Sequence, residues 1–137
     1  YDQKTLDSIK KYPQKIGRCI EKYRLREALN EFMNLARDGN KYLAETEPWK
    51  SKKTDEKRTK TIINIAIQIS AALAVLCEPF LPHTSKKLIT LLNMNKISWD
   101  NVGSTLIKDL HIINHNELLF SKIEDEEIEI QLEKLNN

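Results

Sequence analysis

Trp49 directly follows Pro48 and is followed at once by Lys50, Lys52 and Lys53. An indole whose position is fixed by a proline can offer its face to an unpaired base. Clustered ammonium groups can neutralise the adjoining phosphates. An aromatic plane beside positive charge is what single-stranded RNA asks of a protein. The same residues fit another arrangement, in which Trp49 caps the core and the lysines form a solvated loop. Spacing alone leaves the two open.

The remaining chemistry-bearing residues form no comparable group. His111 and His115 are four apart, so one helical turn would put both on one face. The segment around them lacks a helical pattern, and no Glu follows the first His as in a metalloprotease motif. A metal site is therefore not expected, and a small histidine- or metal-dependent enzyme is the third hypothesis. His83, behind Pro82, reads as a surface or capping residue. Cys19 and Cys77 have neither CxxC spacing nor a nearby His, and read as two free, buried thiols of a cytosolic protein. Three scattered glycines cannot make a phosphate-cradling loop, and no Ser or Cys sits in a nucleophile motif. Neither catalysis nor a cofactor is expected of this chain alone.

What must position Trp49 is helical. The 137 residues suit one domain, and 3 Gly and 4 Pro leave little room for turn-rich β architecture. Residues 1–11 predict a short polar helix, interrupted at Tyr12-Pro13. A second helix is expected over 13–23, with Ile16, Cys19, Ile20 and Tyr23 on one face and Gly17 weakening it. Residues 25–46 carry the clearest stripe: Leu25, Ala28, Leu29, Phe32, Met33, Ala36, Leu43 and Ala44. Gly39 inside it predicts a close helix approach or a kink, and Pro48 ends it. Residues 50–60 hold six basic and two acidic residues. They read first as a loop and then, from Thr54, as a helix start with a hydroxyl cap and acids in the first turn.

Residues 62–77 are apolar almost all round, with Thr61, Asn64 and Gln68 as a narrow polar stripe. Such a helix belongs at the centre of a bundle. Glu78-Pro79 ends it, and another helix runs from Phe80-Leu81-Pro82 to about Leu92. Trp99 to Gly103 predicts one helical turn. Residues 104–120 read as irregular, with short extended pieces at 111–113 and 118–120. The last segment alternates like a strand at 128–132. Yet Ile128, Leu132 and Leu135 share a helix face, and Glu124 to Glu127 suit a helix N-terminus, so a helix is expected.

The net charge of +2 conceals an asymmetry. Six acids and one Lys put residues 124–137 at −5, which leaves +7 on residues 1–123. A basic body favours polyanions without naming one. The acidic end is either a solvated helix face or a docking element. No signal-peptide pattern opens the chain, and its longest apolar stretch is broken by Asn64, Gln68, Ser70 and Glu78, so no membrane span is expected. The absence of an initiator Met suggests a segment of a longer protein.

Asn40-Lys41-Tyr42 through Glu47-Pro48-Trp49 resembles the signature that closes a long helix in the anticodon-binding domain of methionyl-tRNA synthetases. Three further stretches match in order: Leu25 to Leu29, Leu76 to Pro82, and Leu118 to Glu124. The resemblance covers nearly the whole chain. It implies an all-α helical bundle of the class I aminoacyl-tRNA synthetase anticodon-binding type. One domain would span 1–137, with a C-terminal return helix at 121–137. The implied function is recognition of the CAU anticodon of tRNA-Met, with the anticodon stem-loop and a catalytic domain of the same parent chain as partners. Trp49 and Pro48, with Asn40 and Lys41, are the implied anticodon-binding residues. Lys50, Lys52 and Lys53 are candidates for phosphate contacts.

The resemblance also implies that base-edge readers, an Asn and an Arg, lie on a helix before Tyr1. ATP with magnesium, and ligation of methionine to tRNA in the cytoplasm, belong to the parent enzyme. Two departures stand out. Lys41 replaces the family's usual Arg and offers a point charge in place of a planar fork. Ser121 replaces the usual Pro. The alternatives are an anticodon domain of another class I synthetase, or a non-catalytic helical scaffold that binds a partner protein through its exposed apolar stripe.

Overall fold

A computed structural model describes residues 2–95, 97–114 and 117–135. Among these residues seven α-helices follow one another: α1 (Asp2–Ile9), α2 (Tyr12–Glu21), α3 (Leu25–Thr46), α4 (Pro48–Ser51), α5 (Glu56–Leu76), α6 (Pro82–Leu91) and α7 (Asp125–Leu135). One 3-10 turn covers Trp99–Asn101. No strand is present among the described residues, and Val102 and Ser104 form only an isolated bridge. The alternation at 128–132 therefore yields to the helical reading, and the extended pieces expected at 111–113 and 118–120 pair with nothing as strands.

The bundle is organised around α5, which packs against α1, α3, α4 and α6. Its apolar surface is too wide for one neighbour, so several helices must share it. Ile16, Leu35, Tyr42, Ile62 and Leu76 are all but fully buried in the common core. Complete burial of one such aliphatic side chain contributes roughly 1.5–3 kcal/mol. Although no membrane span was expected, α5 is long and apolar enough to cross a membrane by length and composition alone. Half of that stretch is buried inside the bundle.

Gly39 marks a close approach between α3 and α5, since α3 runs through it as one helix. A Cβ there would lie 3.0 Å from Ile69 Cγ2. Gly103 adopts φ +102° beside Lys10, where a Cβ would meet backbone at 2.7 Å. That contact explains why the turn begun at Trp99 stops with glycine.

Gln68 is the polar stripe's buried member. Its Nε2 donates to Ile107 O at 2.6 Å, and its Oε1 accepts from Leu106 N at 2.9 Å and Ile107 N at 3.2 Å. One amide thus satisfies three backbone groups that would otherwise be buried unpaired. At the far end of α5, Ser85 Oγ donates to Ala74 O at 2.6 Å and occupies a last-turn carbonyl.

Several local expectations need correction. α2 ends at Glu21, so Tyr23 is not on its apolar face: it is 92% exposed at φ +57°. There Tyr23 N–H donates to Ile20 O and Arg24 N–H to Cys19 O, the paired bonds of a left-handed helix stop. The cap of α5 is the Asp55 carboxylate, accepting from Arg58 N at 2.9 Å, and not the Thr54 hydroxyl. α7 begins at Asp125, after a non-helical 121–124. Cys77 is buried and its thiol is pushed up by that burial, whereas Cys19 is only half-buried. His83 is exposed at the start of α6.

Candidate nucleic-acid interface

The platform is built at the junction of α3 and α4. α3 stops because Glu47 takes the left-handed conformation at φ +43°, with its N–H still bonded to Leu43 O at 3.0 Å. Thr46 Oγ1 donates back to Tyr42 O at 2.6 Å. Pro48 then opens α4, where its missing N–H costs no helical hydrogen bond and its fixed φ suits a first turn. Lys50 and Ser51 of the basic run thus belong to this helical turn, while 52–55 form the non-helical connection that composition suggested.

Pro48 is buried and Trp49 is 60% exposed. The geometry thereby decides between the two arrangements left open by sequence: the indole stands outside the core. α4 is fastened to α5 by a 2.7 Å hydrogen bond between the Ser51 and Thr59 hydroxyls.

The six basic residues of 50–60 are not equivalent. Lys50 pairs with Glu47 at 2.8 Å and Lys60 with Glu56 at 2.7 Å. Both are exposed pairs of the kind worth roughly 0–1 kcal/mol, so a phosphate can compete for either lysine. Arg58 differs. Its guanidinium forks onto the Asp2 carboxylate, with Nη2 2.9 Å from Oδ1 and Nη1 against Oδ2. Tyr42 Oη donates to the same Oδ1 at 3.0 Å. The Arg58 hydrogen bonds hold the Asp2 carboxyl below its usual range, against the partial burial that would raise it, with Tyr42 adding to the lowering. Lys60 likewise lowers Glu56. Among the described residues no ion pair reaches Lys52, Lys53 or Lys57.

Trp49 borders an open cleft of about 1310 Å³. Pro48 and Lys52 lie beside it, Lys60, Asn64 and Ile67 form the α5 wall, and Lys108 and His111 stand opposite. The opposite wall is held in place by Gln68, by Asn93 Nδ2 donating to Ile112 O at 3.0 Å, and by His111 Nε2 2.7 Å from Leu92 O. Of the residues expected at the site, Pro48, Trp49 and Lys52 share this cleft. Lys50 and Lys53 lie outside its lining. Asn40 and Lys41 sit exposed on α3, away from the cleft, with Lys41 3.8 Å from Glu45.

Lys60 and Asn64 were visible in the sequence as part of the basic run and the polar stripe, but nothing marked them as neighbours of Trp49. Lys108 and His111 carry no sequence signal for this position at all, because only the chain's return past α5 brings them there.

The cleft offers a stacking surface, cationic groups and amides. Among the described residues no three His, Cys, Asp or Glu side chains gather at metal-binding distance. His115 lies outside the described residues, so the His111/His115 pairing is not settled by the fold.

The family profile described as the anticodon binding domain of methionyl tRNA ligase matches residues 1–136. The methionine–tRNA ligase of Christiangramia forsetii is 55% identical over 142 residues, covering 98% of this chain and 20% of that protein. Those of Flavobacterium psychrophilum and Phocaeicola vulgatus are 53% and 49% identical, again over 98% of this chain and 20% of each relative. The chain thus spans about one fifth of the length of the curated relatives it matches.

Proposed function

The chain belongs to the family of anticodon-binding domains of methionyl-tRNA ligases, and from that premise we propose that Trp49 and its neighbours bind the anticodon loop of tRNA-Met. The observation that carries the reading is the 60% exposed Trp49, raised on a buried proline beside Lys52 and Lys53. The indole stacks on one unpaired base, and Lys52 and Lys53 meet the flanking phosphates. Lys50 joins them by exchanging Glu47 for phosphate.

Stacking is tolerant of base identity, so discrimination needs hydrogen bonds to base edges. We assign that role to residues preceding this chain in the longer protein. Asp2 and Gln3 line the cleft beside Trp49, so a preceding segment would enter it there. Asn40 and Lys41, exposed on α3 outside the cleft lining, contact the RNA beyond the stacked base. The longer protein ligates methionine to tRNA in the cytoplasm with ATP and magnesium, which its catalytic part holds. The anticodon domain selects the tRNA that is charged.

The test is a titration of a tRNA-Met anticodon stem-loop into the longer protein, with Trp49 intact and replaced by Ala, at several salt concentrations. Salt-sensitive binding that weakens in Trp49→Ala, with methionine activation unchanged, supports the reading. Equal loss of activation and of tRNA charging would make Trp49 structural instead. Binding that ignores both Trp49 and salt would favour a protein-docking scaffold.

A further inference from the structure

Asp2 is 56 residues from Arg58 and 40 from Tyr42, yet its carboxylate gathers both. Tyr42 is fully buried and stands one turn before the end of α3. Arg58 lies in the first turn of α5, and the next residue, Thr59, holds Ser51, the last residue of α4. Asp2 therefore joins the helix that leads into the Trp49 platform to the helix that leads out of it.

α4 has four residues, too few for a helix to persist on its own in water. The indole, largely exposed, has little packing of its own to fix its direction. Its orientation must be imposed through the backbone by the ends of α3 and α5. The Asp2 carboxylate is bonded to side chains of both.

We propose that Asp2 is a positioning residue for Trp49: through Arg58 and Tyr42 it sets the angle between α3 and α5, and so the direction of the indole. Arg58 consequently serves the fold and is withheld from phosphate, although it lies within the basic run. The proposal rests on the base-platform reading for its effect on RNA, but not for its effect on Trp49 itself.

Two measurements test it. The first needs no RNA. In the longer protein labelled with 5-fluorotryptophan, the signals of Trp49 and Trp99 are assigned with Trp49→Phe and Trp99→Phe. Asp2→Asn shifts or broadens the Trp49 signal and leaves that of Trp99, which donates to Pro13 O at 3.1 Å on another part of the bundle. Asp2→Glu restores it at least in part. Tyr42→Phe, which deletes the hydrogen bond to Asp2 and keeps the ion pair, carries the same test if Asp2→Asn fails to fold. The second is a double-mutant cycle on stem-loop affinity. Asp2→Asn weakens binding roughly threefold to thirtyfold when Trp49 is present, a span typical of coupled residues. It has no further effect in the Trp49→Ala background.

An unchanged Trp49 signal in Asp2→Asn would overturn the proposal. So would equal losses of affinity in the two backgrounds, which would mark Asp2 as generally stabilising. If Trp49→Ala itself leaves affinity unchanged, the base-platform reading fails, and the fluorine signal still decides whether Asp2 positions the ring.

Discussion

Gly39 and Ile69 set the distance between the two longest helices of the bundle. A Cβ on residue 39 would sit 3.0 Å from Ile69 Cγ2, tighter than ordinary van der Waals contact. Gly39→Ala gains roughly 1 kcal/mol of helix propensity and meets an overpacking cost of about 1–3 kcal/mol, so a net loss of stability is expected. Ile69→Leu in the same protein, which removes the Cγ2 branch, should recover part of it. Denaturant midpoints of the single and double variants check both signs.

Trp49→Ala should weaken anticodon stem-loop binding by about 1–3 kcal/mol, the usual worth of one base–aromatic stack. Because the ring is largely outside the core, its melting temperature should barely move. Trp49→Phe should retain part of the affinity. A large fall in melting temperature with no change in affinity would sink the stacking assignment.

Salt dependence separates the lysines from Arg58. Each phosphate contact on single-stranded nucleic acid contributes roughly 0.7 to the slope of log affinity against log salt. Lys52→Ala and Lys53→Ala together should reduce that slope by about 1.4 if both meet phosphate. Arg58→Gln, which removes the charge, should leave the slope near its original value even where affinity falls, because the guanidinium is turned to Asp2. Binding isotherms at four or five salt concentrations distinguish these outcomes.

Gln68→Leu removes the amide that serves three backbone groups of Leu106 and Ile107. Leaving buried N–H and C=O groups without partners should cost roughly 2 kcal/mol or more. Hydrogen exchange of the Leu106 and Ile107 amides should accelerate before that of α5, since these two N–H groups donate to the Gln68 side chain. Uniform acceleration across the bundle would show that Gln68 supports the core as a whole.

Acid should act on Asp2. Its folded pKa is lowered from the ordinary 3.8 by Arg58 first and by Tyr42 to a lesser degree. A carboxyl depressed in the folded state contributes stability that is present above its unfolded pKa and lost as pH falls through the folded one. Asp2→Asn should therefore cost stability at neutral pH and show a shallower loss of stability below pH 3.8. Urea midpoints measured from neutral pH into the acid range report the difference.

The fold was largely legible because its signals are local. The helix at 25–46, the apolar run of 62–77 and the prolines at 13, 48 and 82 depend only on residues within a turn or two, but the buried face of 25–46 did not follow: Leu25, Leu29 and Met33 of the expected stripe are exposed, while Leu35 and Tyr42 are buried. The errors arose where a distant group or a single backbone angle decides. Tyr23 fits the apolar spacing of α2 but occupies the left-handed position just past its end, which its side chain does not advertise. The 50–54 stretch reads as loop by composition, yet the turn after Glu47 makes its first residues helical.

The site was legible only in part. Sequence by itself determined the pair Pro48–Trp49 and the positive charge around it, because both follow from adjacent residues. Tertiary structure decided that the indole faces outward. It also decided that Lys52 shares the cleft while Asn40 and Lys41 do not, and that Arg58 is bound to Asp2. The physical reason is the same in each case. Exposure, and the choice of partner for a charge, depend on residues 40 to 60 positions away that come near only when α1, α3 and α5 pack.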